Sequence, residues 1–344
     1  MERYVSKEIE KNCKEIITLS DFSDFSDFSE LFNNILLNKQ MYPLNGHGVN
    51  YNDPSVINII LKTLNLNTEL QNISYISNGY WGAIFKADYR NKSYALKVEL
   101  IDKKFPNLLS SLLGRERNIM RNINSKLKGL NINSFIANPI YDLPISPFQN
   151  VSSSVITQET KGTRETIGKI YKMNINVFDF YPYPLKYCSE MIDEITSKRY
   201  FLQFLRCILQ CHKTGYIHRD INDENFMFQD ESFHNLVLID FGLSKQIPLK
   251  EEKNVIEEGS RLFNSLRVEK SITPSMRDDL ESIAFLTWSM ISPLPWRHNL
   301  NRTKELKLSL PNCPKWIKNI ILYARSLKFS EHINSDEIIK LIYE

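Results

Sequence analysis

No stretch of this chain approaches the roughly 18–20 consecutive apolar residues needed to cross a bilayer, so a membrane span is not expected. There is also no basic run or arginine-rich stripe. The formal charge of +3 over 344 residues is too small to imply a nucleic-acid partner. The opening segment MERYVSKEIEKNCKEI is charged throughout, which argues against a secretory leader. Cysteine is scarce: five residues, scattered and odd in number, as expected of free thiols in a reducing compartment. Cys207 and Cys211 beside His212 raise the question of a metal site. They lie in YFLQFLRCILQCH, however, whose apolar residues recur at helical spacing and which has no second ligand pair nearby, so core packing is expected. What is present is the balance of a soluble globular protein, 42% hydrophobic and 24% charged. The length suffices for one large domain or two ordinary ones.

Residues 1–72 read as an extension. They hold a charged helical segment, the triplet repeat SDFSDFSDFSE (20–30), a loop-like YPLNGHGVNYNDP and an apolar helix around 55–64. From about Ile73 the order becomes strand, glycine turn, strand, helix, with further helices after Leu185. That order predicts a small β-rich lobe (about 73–180) followed by a larger helical one (about 185–344). An Asn- and Pro-containing stretch at about 123–150 reads as an inserted loop.

YISNGYWGAIFKADY places Gly79 and Gly82 between two strand-like runs. Such a turn lets backbone N–H groups approach phosphate oxygens without a Cβ in the way, although two glycines in a hairpin more often mean only a tight turn. SYALKVEL alternates as a strand, with Ala95 and Lys97 on one face and Leu96, Val98 and Leu100 on the other. Ala95 leaves room for a flat base and Lys97 can reach phosphate. Taken alone, this segment is better read as a strand with a solvated Lys on a half-exposed face. In NLLSSLLGRERNIMRNI, Glu116 falls on the apolar stripe of Leu109, Leu112, Met120 and Ile123. A carboxylate facing a core requires a partner, and Lys97 is the obvious one.

The most specific constellation is HRDINDENFMFQDESFHNLVLIDFG. Asp220 and Asn225 bound a loop leading into the strand FMF, and a polar hairpin returns through LVLID to Asp240, Phe241 and Gly242. Neighbouring strand ends would bring Asn225 and Asp240 together, a carboxylate and an amide oxygen suited to Mg²⁺. Asp220 would orient a hydroxyl and accept its proton.

With these motifs in this order, the chain from about residue 73 to its end resembles eukaryotic-type protein kinases, and within them the casein kinase 1 and vaccinia-related kinase group. GSRLFNSL…SMRDDLESIAFLTWSMISPLPW (259–296) resembles that group's segment after the activation loop, which lacks Ala-Pro-Glu. YARSLKF (323–329) resembles its closing helix and NVFDFYPYPL (176–185) its hinge. The resemblance implies a bilobal α+β fold, with one regulatory helix in the small lobe, and a Ser/Thr protein kinase using ATP and Mg²⁺ on protein substrates. It places Asp220, Lys97 and Glu116 in catalysis and Asn225 and Asp240 on the metal. ATP would be held by Ile76, Ser77, Asn78, Gly79, Tyr80, Trp81, Gly82, Ala83, Ile84, Ala95 and Lys97. Backbone groups of Asp179 and Tyr181 would meet the adenine, with Phe178 as gatekeeper and Met227 beneath the ring. Asp279 would anchor the catalytic loop from below.

Three departures bear on activity. Ser77 stands where the glycine pattern would begin. Asn222 stands where most Ser/Thr kinases carry a Lys that helps neutralise the transferring phosphoryl group. Losing one such donor typically costs about 10²–10³ in rate, a slowing rather than an abolition. Arg261 and Arg267, in the substrate-facing segment, are cations that could substitute. Leu262 stands where relatives carry an Arg for a phosphate already on the substrate, with Ser260 in place of Thr, so preference for such primed substrates is not expected. The repeat's serines, three apart, suit either an amphipathic helix packing its Phe side chains or successive autophosphorylation. The rival readings are a pseudokinase scaffold, supported by Asn222 and Ser77, and a small-molecule phosphotransferase, against which Arg219-Asp220, Asp-Phe-Gly and RDDLES all argue. An intracellular location, cytoplasmic or nuclear, is expected. The Asn-, Ile- and Lys-rich usage hints at an AT-rich genome, which fits a virus-encoded protein acting in a host cell.

Overall fold

A computed structural model of the chain describes residues 49–79, 82–102, 112–130, 134–137, 139–140, 143, 148–152, 157–160, 163–166, 170–188 and 191–343. The triplet repeat, together with Tyr80 and Trp81 of the glycine turn, lies outside the described residues. The chain divides into two compact units. The first takes the described residues up to Arg117 and Pro139–Phe180, and the second takes Asn118–Asn138 and Tyr181–Glu344.

The first unit starts with helix α1 (Pro54–Asn67). Asp53 caps it by accepting from Ser55 N–H, and Pro54 occupies the first turn, where its missing donor costs nothing. Three strands follow: β1 (Gln71–Gly79), β2 (Gly82–Tyr89) and β3 (Lys92–Asp102). Helix α2 (Leu112–Gly129) comes next. After it lie β4 (Phe148–Ser152), the two-stranded ribbon of β5 (Thr157–Thr160) and β6 (Thr163–Thr166), and β7 (Ile170–Asp179). The main sheet has the antiparallel order β1-β2-β3-β7-β4. Leu96, Val98 and Leu100 of β3 point into the core as their alternation predicts.

Two boundaries differ from the sequence reading. Val49, Tyr51 and the α1 residues Val56, Ile60 and Leu64 share one apolar cluster with Phe85, Leu96 and Val98. The sheet face needs that cover, so the packed unit begins well upstream of residue 73. Helix α2 runs on through Gly129, because Ile123 and Leu127 continue its buried stripe. The first part of the expected inserted loop is therefore helical, and its last part lies in β4.

The second unit is mainly helical. A short β8 (Tyr183–Pro184) and a 3₁₀ turn (Leu185–Cys188) lead to α3 (Glu194–Lys213). Four short strands follow: β9 (Tyr216–Ile217), β10 (Phe226–Phe228), β11 (Leu236–Leu238) and β12 (Lys245–Gln246). The remaining helices are α4 (Leu266–Glu269), α5 (Met276–Ile291), α6 (Thr303–Ser309), α7 (Lys315–Ser326) and α8 (Ser335–Tyr343). Helix α5 is buried nearly all round, starts in a Ser275–Asp278 capping box, and packs between α3 and α7. Cys207 and Cys211 lie buried in α3, where burial pushes the Cys207 thiol up to about 12. Among the described residues no helix is long and apolar enough to cross a membrane.

Candidate active site

The site residues expected from sequence fall in both units. In the first, β3 pairs with β7 so that Lys97 lies opposite Asn176, and β2 sets Ile84 beside Lys97. Helix α2 presents Glu116, only 1% exposed, whose two carboxylate oxygens each lie 3.3 Å from Lys97 Nζ. The expected pair is therefore formed.

Asn176, which sequence reasoning passed over, ties this pair to its surroundings. Its Nδ2 donates to Glu116 Oε2 (3.2 Å) and to Leu113 O (2.9 Å), while its Oδ1 accepts from Arg117 Nε (2.9 Å). The available signal was NIN at 174–176, two Asn at strand spacing among apolar residues. Both are buried, and a buried amide needs partners.

The glycine hairpin shows two different uses of glycine. A Cβ on Gly82 would lie 2.4 Å from Val98 O, so this glycine is required by the close approach of β2 to β3. Nothing lies within 4 Å of a Cβ on Gly79. Ile76 and Ser77 are exposed at a register shift in β1, Asn78 is half-buried, and Ala83 is fully buried. Ala95 pairs with Phe178 on β7. Asp179 ends β7, paired with Tyr94 of β3, with its carboxylate 2.5 Å from Lys92 Nζ.

In the second unit, the loop between β9 and β10 carries Asp220. Three contacts shape it. Asp279, in the first turn of α5, accepts from His218 N–H (2.8 Å), Arg219 N–H (3.0 Å) and the His212 ring (2.8 Å). Burial alone would raise the Asp279 carboxyl, but the hydrogen bond and charge of His212, with His218 and Arg219, hold it below its ordinary value. Arg219 sits at φ 72 and Asp240 at φ 58, left-handed conformations that cost non-glycine residues about 1–3 kcal/mol and concentrate at functional sites. The Arg219 guanidinium donates to Leu243 O (3.1 Å) and pairs with Glu258.

Asn225 Nδ2 donates to Asp220 O (2.8 Å) and to Asp220 Oδ2 (3.0 Å), which fixes the amide with its oxygen turned away from Asp220. Ile239 N–H donates to Asn225 O (2.9 Å), joining the loop to the strand that ends at Asp240. Burial raises the Asp220 carboxyl; the charge of His218 opposes that rise and the charge of Asp240 adds to it. The Asn225 amide oxygen and the Asp240 carboxylate are hard oxygen donors fitted to Mg²⁺. Met227 lies half-buried on β10 opposite Pro184 of β8, and Tyr181 is half-buried just before that strand.

Asn222 is built into the loop rather than aimed out of it. Its Oδ1 accepts from Glu224 N–H (2.9 Å) and Asn225 N–H (3.1 Å), and its Nδ2 donates to Asp220 O (3.3 Å). Of the two cations considered as substitutes for the absent Lys, Arg267 is engaged by Glu251 and Arg325 O, whereas Arg261 is exposed.

An anchored aspartate-bearing loop, an oxygen donor pair and a strand Lys paired with a helix Glu are the parts of a phosphoryl-transfer apparatus. Residues 169–343, just over half of the chain, match the family model described as the protein kinase domain, a span that covers β7 and the helical unit from Tyr181 onward, while Lys97, Glu116 and the glycine hairpin lie upstream of it. With that match, an antiparallel-sheet unit and a helical unit, the chain belongs to the protein kinase family.

Proposed function

We propose that this protein kinase is catalytically competent and specific for Ser/Thr hydroxyls of protein substrates, in the manner of the casein kinase 1 and vaccinia-related kinase group. The observation that carries this reading is the order of the Asp220 loop: Asp279 holds its backbone, Asn225 holds the Asp220 carboxylate, and Asn222 closes the turn. A pseudokinase has no need to keep all of these groups together with a formed Lys97–Glu116 pair.

Asp220 orients the substrate hydroxyl and accepts its proton as the oxygen bonds to the γ-phosphorus of ATP, while the bond from that phosphorus to the β–γ bridging oxygen breaks and ADP leaves. Lys97, held by Glu116, would bind ATP phosphate oxygens, and Asn225 and Asp240 would hold the magnesium. The metal, when bound, neutralises charge on the phosphates. Burial of Asp220 excludes competing water and strengthens its hydrogen bond to the hydroxyl.

The subgroup reading is supported by the contact between the two segments that carry the resemblance. Arg325 of YARSLKF pairs with Glu281 of RDDLES (2.6 Å) and donates to Lys307 O (2.8 Å). Lys307 is fully buried, with Arg261 O, Asn264 O and Glu269 Oε1 at 2.7–2.9 Å as its acceptors. It braces the 261–269 segment, where Ala-Pro-Glu is missing, and is not available to a phosphate on the substrate. Substrates without a priming phosphate are accordingly proposed.

Transfer from radiolabelled ATP with Mg²⁺, to casein and to the chain itself, tests the reading. Wild type is expected to label both, and Asp220→Asn and Lys97→Met neither. Folded wild type that binds ATP yet labels nothing would leave the scaffold reading in its place.

A further inference from the structure

The described residues just upstream of α1 are tied to the glycine hairpin. Tyr51 is 3% exposed, and its hydroxyl accepts from Leu100 N–H of β3 at 2.6 Å. Asn50 Oδ1 accepts from Asn52 N–H (3.0 Å), Asp53 N–H donates to Asn50 O (3.1 Å), and Asp53 caps α1. Residues 50–53 are thus a turn held at one side by the sheet and at the other by a helix whose Ile60 and Leu64 are fully buried.

From that turn Asn52 reaches β1. Asn78 Nδ2 donates to Asn52 Oδ1 at 3.0 Å, across 26 positions of sequence. Asn78 Oδ1 in turn accepts from Tyr75 OH at 2.6 Å. The Tyr75 ring packs edge-on against Phe85 with centroids 5.7 Å apart, and burial pushes its phenol up to about 12, so it stays a donor. Both ends of the Asn78 amide are therefore bound to the scaffold. Asn78 lies opposite Ala83 and directly before Gly79, which lies opposite Gly82.

We propose that Asn52 is a positioning residue for nucleotide: acting through Asn78, it fixes the end of β1 in the geometry from which the glycine hairpin meets ATP phosphates. The proposal rests on the protein-kinase reading of that hairpin. A hairpin end left untethered must be ordered when nucleotide binds, and that entropic cost weakens affinity. A tether made beforehand removes the cost. The contact bears on nucleotide binding and not on the Asp220 loop, so its loss should raise KM for ATP while leaving kcat and KM for protein substrate nearly as they were.

The test is a double-mutant cycle in the full chain with Asn52→Ala, Asn78→Ala and both together, reading KM for ATP, kcat, KM for casein and Tm. Asn52→Ala should raise KM for ATP about 3–10-fold, the equivalent of about 0.7–1.4 kcal/mol, with kcat and KM for casein within about 2-fold. Because Asn52 acts through Asn78, the double variant should be no worse than Asn78→Ala alone. Asn78→Ala reads the same contact from the other side should Asn52→Ala not fold. An unchanged KM for ATP in folded Asn52→Ala overturns the proposal, as do effects that multiply in the double variant. A loss of Tm and kcat without a KM change marks a merely structural role and also overturns it. Wild type that neither binds nor consumes ATP removes the kinase reading and the proposal together.

Discussion

Asp279→Asn tests how the Asp220 loop is held. The wild-type carboxylate, 3% exposed, meets His218 N–H and the His212 ring at Oδ2 and Arg219 N–H at Oδ1. An amide offers one oxygen and one NH₂. With its oxygen turned to His218, its NH₂ faces the Arg219 N–H, donor against donor, where water has no access. A buried donor left unmet costs about 1–3 kcal/mol, and the two remaining bonds lose the strength that a charged acceptor lends them. The sum is about 2–4 kcal/mol. At about 2–4 °C per kcal/mol for a large domain, Tm should fall by about 4–16 °C. Asp220 follows Arg219 directly, so a loop displaced by about 1 Å should lose about 10²-fold in kcat.

The pH dependence supplies a check of sign. The folded Asp279 carboxyl lies below its ordinary 3.8, so its contribution to stability is present above that value and is lost as pH falls through the folded one. The Tm gap between wild type and variant should therefore narrow in acid. Thermal unfolding followed by circular dichroism across pH, with steady-state phosphotransfer at neutral pH, measures both effects. A variant within about 1 °C of wild type and equally active would refute the anchoring role.

Three further perturbations have definite expected outcomes. Lys307→Met leaves Glu269 and two carbonyls buried without their donor, and should cost about 3–5 kcal/mol by denaturant unfolding; a loss under about 1 kcal/mol would contradict the brace. Gly82→Ala forces a Cβ against Val98 O and should destabilise by about 1–3 kcal/mol, whereas Gly79→Ala, with open space around it, should stay within about 0.5 kcal/mol of wild type. Equal Tm values for the two would reject the distinction. Asn222→Lys removes the acceptor for Glu224 and Asn225 N–H groups and should lower kcat about 10-fold in the radiolabel assay, while a variant faster than wild type would show that the absent Lys is a handicap.

The placement of the candidate site residues was the most legible feature of the chain. Asp220 and Asn225 lie in one short loop, and Asp240 follows at the end of the returning hairpin, so sequence spacing nearly is spatial spacing. The helical stripe through Glu116 led to Lys97 because an apolar face demands a partner for a carboxylate, and that pair is formed. The packing reason for Gly82 was not legible, because it depends on how closely β2 lies to β3.

By itself the sequence determined membership of a kinase-like pattern, the residue chemistry on which the proposed phosphoryl transfer rests, the order of a β-rich part before a helical one, and the apolar faces that must be covered. Only tertiary structure decided what covers them and which polar groups meet. Asn176 reaches Glu116 across 60 positions, and Asn78 reaches Asn52 across 26, because strand register and the seat of α1 on the sheet bring them together. Asn222, apparently a missing cation, is a brace because its carbonyl oxygen meets two backbone N–H groups of the folded loop. The reason is physical: hydrophobic burial is non-directional and can be read as a pattern, whereas a hydrogen bond exists only at a distance and angle that the completed fold sets.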